Sequence, residues 1–171
     1  QEVCINWSSL KTSQTLASLL RYGPDPIRSV QSHNKREGVG KKIGKSQRGG
    51  TATVINEALC SYVKDCGTDH TGLGRWSWYK LEGETGHKTY IITAYAPCGN
   101  QDCAAPTVFQ QHWRYIQEKG LNTNPKAMFQ QDLLAVLRTW RKDKARIVLM
   151  MDANENVLSG HMCKQFGKED I

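Results

Sequence analysis

The sequence predicts a mixed α/β (α+β) domain, and three observations predict it. Ile147 to Met151 is an unbroken apolar run that breaks at Asp152, as a strand buried on both faces does. Arg75 to Glu82 and Lys88 to Ala96 alternate apolar and polar residues around Gly83-Glu84-Thr85-Gly86, the pattern of a hairpin. Two amphipathic helical patterns lie between Thr107 and Trp140, each opened by a capping residue.

Taken in order, Gln1 to Ile5 reads as the tail of a strand with Glu2 in an otherwise apolar setting. Ser13 to Arg21 predicts a short helix with Leu16, Leu19 and Leu20 on one face, ended by Gly23-Pro24-Asp25-Pro26. Residues 31–50 lack periodicity and place Lys35, Arg36, Lys41, Lys42, Lys45 and Arg48 among five glycines, so a flexible basic loop is expected. Gly49-Gly50 then admits a close backbone approach or bulge before the strand Thr51 to Asn56. Cys60 to Gly74 reads as irregular. In the hairpin, Trp76, Trp78 and Lys80 share a face, and the second strand is the more apolar. The first long helix starts at Thr107 with Gln110 completing a capping box, carries Phe109, Trp113 and Ile116 inward, and stops at Gly120. The second starts at Pro125 behind Asn124 and carries Phe129, Leu133, Val136, Leu137 and Trp140, a packing stripe.

The chain has 171 residues, enough for one domain, and no internal repeat. It starts at Gln1 and ends on Gly167-Lys168-Glu169-Asp170-Ile171 with no closing element, which reads as a fragment, a single incomplete domain over 1–171. Lys and Arg number 23 against 16 acidic residues, a net +7 that favours polyanionic partners. No apolar run approaches the ~18 residues of a membrane span. The six cysteines lie within ordinary helix and strand patterns, with Cys4, Cys60 and Cys98 as core or edge thiols. A reducing, intracellular compartment is expected, nucleus or cytoplasm. Cys98-x4-Cys103 with His112 is a poor zinc pattern, lacking a second ligand pair at finger-like spacing.

Chemistry concentrates at strand ends. Asp152 and Asn154 are two apart, so both leave the carboxyl end of a core strand on one side, where α/β sheets place ligands. Asp152-x-Asn154-x-Asn156 is not a calcium loop, because Val157 and Cys163 stand where Gly and Glu are required. Gly44-Lys45-Ser46 is not a P-loop, because Val39 stands where Gly is required. Tyr95, just before Pro97, offers a phenol at the end of its strand. None of the five histidines forms a helical metal-ligand pair, and all are read as loop or surface residues. No Ser or Cys nucleophile signature is present.

Gln1-Glu2, Tyr95-Ala96-Pro97 and Met151-Asp152-Ala153-Asn154 occur in that order. In that order and spacing they resemble the endonuclease/exonuclease/phosphatase superfamily, which includes DNase I and the endonuclease domains of non-LTR retrotransposons. Met151 stands where Gly is common. Gln47-Arg48-Gly49-Gly50-Thr51-Ala52 and Gly74-Arg75-Trp76 resemble the retroelement branch. The resemblance implies a partial four-layer α/β sandwich of the DNase I-like type and a Mg2+- or Mn2+-dependent hydrolase of phosphodiesters, an endonuclease with DNA as the favoured partner. It implies Glu2 as the metal ligand, Asp152 as the group that orients or deprotonates the attacking water, Asn154 as a donor to the scissile phosphate and Tyr95 as a phosphate-positioning hydroxyl. The charge pattern adds Lys41, Lys42 and Arg48 as contacts to flanking phosphates.

The family's strand Asn before the Glu, its later Asp and its closing Asp-His pair have no counterpart in this sequence, and His161 follows Asp152 too closely to serve. The chain itself is therefore expected to be inactive or nearly so. Two alternatives stand beside the nuclease: a phosphoinositide or lipid phosphodiesterase of the same fold, and a non-catalytic nucleic-acid-binding remnant.

Overall fold

The computed structural model describes residues 2–21, 23–36, 46–99, 107–156 and 158–168. Two sheets and a layer of helices make an α+β fold. The larger sheet is ordered β3 (Val63–Thr68), β4 (Trp76–Glu82), β5 (Lys88–Tyr95) and β6 (Arg146–Asp152). β4 is antiparallel to both of its neighbours, β3 and β5, while β6 runs parallel to β5. A parallel neighbour demands a long crossover, and α2 (Val108–Glu118) and α3 (Pro125–Lys142) supply it.

The caps read from the sequence are in place. Thr107 accepts from the Gln110 amide and Gln110 returns the bond to the Thr107 amide, while Asn124 accepts from the Ala127 amide ahead of Pro125. The α3 stripe of Phe129, Leu133, Leu137 and Trp140 packs on Trp76, Tyr90, Ile92 and Ala94 of the sheet. Trp140 anchors the far end, stacked on Tyr90 at 4.1 Å and edge-on to Trp78 at 5.6 Å. Aromatic contacts of this kind contribute about 0.5–1.5 kcal/mol each beyond burial.

The other face of the sheet meets a two-stranded antiparallel sheet, β1 (Ile27–Ser32) and β2 (Thr51–Asn56). One end of this interface is apolar, built from Ile55, Cys60, Tyr79 and Leu81. Its middle is a hydroxyl network. Thr53 Oγ1 lies 2.9 Å from Ser77 Oγ and donates to Thr93 Oγ1 at 3.0 Å, and Thr51 donates to Ser77 at 3.3 Å. These residues are buried, and mutual hydrogen bonds offset their desolvation.

Several expectations are corrected. Residues 27–32 and 63–68 are strands, although neither was expected as one. β3 is an edge strand whose Lys64, Asp65 and Cys66 face solvent, so it needs no apolar alternation. Within 31–50, Gln31 and Ser32 belong to β1, His33 and Asn34 are buried, and 46–50 is paired with the amino-terminal segment. Residues 37–45, with Lys41 and Lys42, lie outside the described residues. Val3 to Ile5 form no strand; they make backbone bonds to Gln47, Gly49 and Gly50 and a bridge from Ile5 to Ser46. The helix expected over 13–21 is a four-residue α1 (Leu16–Leu19) behind a 3-10 turn, with Leu19 and Leu20 exposed. β6 is a sheet edge and buries one face only, leaving Val148 and Met150 exposed. A further helix, α4 (His161–Lys168), follows it and buries Met162.

Candidate functional site

Tyr95 and Asp152 are register partners at the ends of two parallel strands, so their side chains leave the sheet on the same face. That face is the one that meets β1 and β2, because the alternate residues Ile92 and Ala94 face α3. The ends of β5 and β6 are stapled together. The Ala96 amide donates to the Asp152 carbonyl at 2.9 Å, and the Asn154 side-chain amide donates to the Ala96 carbonyl at 2.7 Å. Asp152 Oδ1 accepts from the Asn154 amide at 3.1 Å, an Asx turn that holds Asn154 at φ +48°. Asn tolerates that left-handed conformation better than most residues. One N–H of the Asn154 amide is therefore committed to the scaffold, and one remains.

Glu2 reaches the site through backbone pairing. The Val3 and Cys4 amides donate to the Gly50 and Gly49 carbonyls, and the Gly49 amide donates to Glu2 Oε1 at 3.2 Å. Both glycines are at positive φ, +85° and +84°, where a side chain is strained. A Cβ on Gly50 would also stand 2.8 Å from the Ser32 carbonyl oxygen, which is the close approach that the Gly-Gly pair predicted. Arg48 is exposed and lies close enough to the Cys4 thiol to act on its charge.

The Tyr95 hydroxyl sits 3.5 Å from the Cys98 thiol, and Glu2 lies near enough to act on it. Burial pushes the phenol far above its ordinary value, and the bonds to Cys98 and Glu2 push it further. The Tyr95 hydroxyl therefore stays protonated at any working pH, beside the Glu2 carboxyl. The Cys4 thiol lies beside Glu2 and is raised mainly by burial. The sequence singled out Glu2, Tyr95, Asp152 and Asn154, but gave no sign that Cys4 and Cys98 would flank them.

The arrangement presents carboxylate oxygens, a protonated phenol and a spare amide N–H, all hard oxygen or hydrogen-bonding groups. Among the described residues no group of three or more His, Cys, Asp or Glu stands close enough to hold a metal ion. Mg2+ asks less, taking one or two carboxylates and keeping several waters, so Glu2 and Asp152 are donors of the right kind.

A second polar cluster was not foreseen. Arg75 is 1% exposed and forks onto Asp69, with Nε donating at 2.6 Å and Nη2 at 2.9 Å, while Nη1 pairs with Asp132 Oδ2 at 2.8 Å. The same guanidinium lies 4.5 Å from the Trp76 ring. The pair holds the Asp69 carboxyl below and the Arg75 guanidinium above their ordinary values, against the burial that pushes each the other way. His112, expected at the surface, is 1% exposed beside this cluster, and neither ring nitrogen has a hydrogen-bond partner. Burial first, and then the Arg75 charge, lower it to about 3. His33 is buried too, and lowered by burial and by Lys35. Arg36, counted with the basic loop, donates to the Thr71 carbonyl and covers the Tyr115 ring at 4.7 Å.

Compared with known proteins, the chain matches no protein-family model, no curated protein and no solved structure. No helix among the described residues is long and apolar enough to cross a membrane.

Proposed function

We propose that the ends of β5 and β6, with Glu2, form a site for divalent-metal-dependent phosphodiester hydrolysis in a DNase I-like domain, with DNA as the favoured substrate. The observation that carries this reading is the convergence of Glu2 with two strand-end groups, Tyr95 and Asp152. Glu2 lies near enough to Tyr95 to raise its phenol, and Tyr95 is the register partner of Asp152. These residues lie far apart in the chain. Two sheets stacked face to face, with helices outside the larger one, suit the same reading.

Glu2 is assigned to hold the cation, which when bound supplies positive charge against the phosphate and acidifies water. The protonated Tyr95 hydroxyl donates to a non-bridging phosphate oxygen. Asp152 orients the attacking water and takes its proton, and its Asx turn fixes the carboxylate for that role. The remaining Asn154 N–H donates to the same phosphate. Arg48, exposed beside Glu2, attracts the flanking backbone. A histidine at the site would complete the acid/base set, but His112 is spent in the Arg75 cluster and His161 bonds to Gln130. The chain as given is thus assigned binding with little or no turnover.

The test is a magnesium titration followed by amide NMR, repeated with a short DNA duplex. Shifts centred on Glu2, Tyr95 and Asp152, lost in Glu2→Gln, are expected. Magnesium that leaves those amides unmoved would remove the basis of the assignment. Duplex binding without any magnesium response would favour a non-catalytic nucleic-acid-binding protein instead.

A further inference from the structure

The Glu2 carboxylate is held by one peptide group. The Gly49 amide donates to Glu2 Oε1 at 3.2 Å, and the Arg48 carbonyl at the other end of the same peptide accepts from Gln111 Nε2 at 3.4 Å. A trans peptide is planar with its C=O and N–H on opposite sides, so fixing the carbonyl fixes the direction of the N–H. Gln111 lies in the first turn of α2, is 5% exposed, and has its own amide fixed. Asn34 Oδ1 accepts from the Arg36 amide, so Asn34 Nδ2 turns to Gln111 Oε1 at 3.1 Å, which leaves Gln111 Nε2 for Arg48. Gln47 Nε2 donates to the Asn34 carbonyl at 2.8 Å and closes this chain of buried amides onto the residue before Arg48. The peptide needs that restraint. Gly49 sits at φ +85°, and glycine accepts either sign of φ, so the Arg48–Gly49 peptide can turn over at little steric cost. Turned over, it would aim a carbonyl oxygen at the Glu2 carboxylate and repel it. A side chain on Gly49 cannot supply the rigidity, because its Cβ would stand 2.9 Å from Val108 Cγ2.

We propose that Gln111 is a positioning residue for Glu2: it holds the Arg48–Gly49 peptide with its N–H on one carboxylate oxygen and leaves the other oxygen to the cation. The inference rests on the reading of Glu2 as the metal ligand and deepens it. One committed oxygen and one open oxygen make a monodentate ligand, which suits the near-ideal octahedron that Mg2+ demands. Gln111 touches neither cation nor substrate. It uses only the carbonyl of Arg48, so the Arg48 side chain is left to the flanking phosphate.

The test is amide NMR of the full chain titrated with Mg2+, comparing the parent, Gln111→Met and Ile116→Val. Ile116 is buried on the same helix and apolar, so its truncation loosens the packing of α2 without removing a bond of the amide chain. Gln111→Met should weaken magnesium binding by about tenfold to a hundredfold, as loss of a ligand's supporting hydrogen bond does, while Ile116→Val binds as the parent does. Equal weakening in the two variants, or none in Gln111→Met, overturns the proposal. A metal-free comparison separates the tether from the site. Glu2→Gln removes the anionic acceptor and should move the Gly49 amide and the Gln111 side-chain NH2 signals. In the Gln111→Met background the same change should leave the Gly49 amide in place. A parent chain that ignores magnesium removes the site reading and the cation role of Gln111 with it, and the metal-free comparison then decides the tether alone. A Gln111 signal indifferent to Glu2→Gln overturns the tether, and that measurement needs no variant of Gln111 to fold.

Discussion

Acidification should destabilise this protein well above the carboxylate range, and His112 should be the cause. In the fold the imidazole is buried against Arg75 with a value near 3, against 6.5 when free. A lowered histidine stays neutral when folded while the unfolded chain takes up a proton, so stability falls as pH drops below about 6.5 and keeps falling until about pH 3. Between pH 8 and 5 the unfolded form gains nearly one proton across 1.5 units of the window, which at about 1.36 kcal/mol per unit is roughly 2 kcal/mol. This window lies above the Asp69 carboxyl, whose stabilising ionisation is lost only below its ordinary value of 3.8. His33 adds to the slope with the same sign. The assay is urea unfolding at pH 8 and pH 5, by linear extrapolation, for the parent chain and His112→Leu. The variant should lose roughly 2 kcal/mol less than the parent over the same interval. Equal losses, or a parent chain that is more stable at pH 5, would refute the burial of a neutral imidazole beside Arg75.

Arg75→Met should cost about 3–5 kcal/mol, because it removes the charged partner of the buried Asp69 carboxylate and leaves it Thr71 and the backbone amide of residue 75, and a thermal melt reads the loss directly. Gly74→Ala should be far more damaging than Gly72→Ala. Both glycines sit at positive φ, but a Cβ on Gly74 would stand 2.5 Å from the His33 carbonyl carbon, while one on Gly72 meets nothing within 4 Å. Similar chemical denaturation midpoints for the two variants would show that conformation and not contact sets the cost. Plasmid nicking by the 171-residue chain in Mg2+ should be absent or barely detectable. Robust nicking abolished by Asp152→Ala would show that the acid/base set is already complete.

The elements that were legible in the sequence are those whose stability is local or whose apolar pattern is strong. Thr107, Gln110, Asn124 and Pro125 announce two helix starts through hydrogen bonds made within a turn. β4 and β5 alternate because one face of each meets α3. β1 and β3 were invisible for the converse reason: β3 exposes most of its side chains, and the strand interface around β2 is filled with threonine and serine hydroxyls. β6 was readable as a strand but not as an edge, since position in a sheet depends on pairing partners and not on hydropathy. His112 was misplaced although Val108, His112 and Ile116 lie four apart on one helical face, and all three are buried. The wider stripe through Phe109 and Trp113 drew attention away from that row, and the ion cluster under it depends on Asp69 and Asp132 from other elements.

The site follows from where the polar row between the sheets runs out of partners. Ser77, Thr93 and Thr53 satisfy one another deep in the interface, so their hydroxyls are committed to stability and are closed to a ligand. Along β5 the next residue on that face is Tyr95, and its hydroxyl meets a thiol at 3.5 Å and an exposed carboxylate. A sulfur acceptor at that distance is weak, and Glu2 is tethered only through the Gly49 amide and a short backbone pairing. Beside Tyr95, Asp152 spends one oxygen on the Asn154 amide and keeps the other. The strand ends thus hold the first polar groups in the row whose bonding is incomplete and whose positions are nevertheless fixed by backbone pairing. Fixed geometry with unspent hydrogen-bonding capacity is what a phosphate-binding site requires. The same row would have offered none had Thr93, and not Tyr95, been the last residue of the strand.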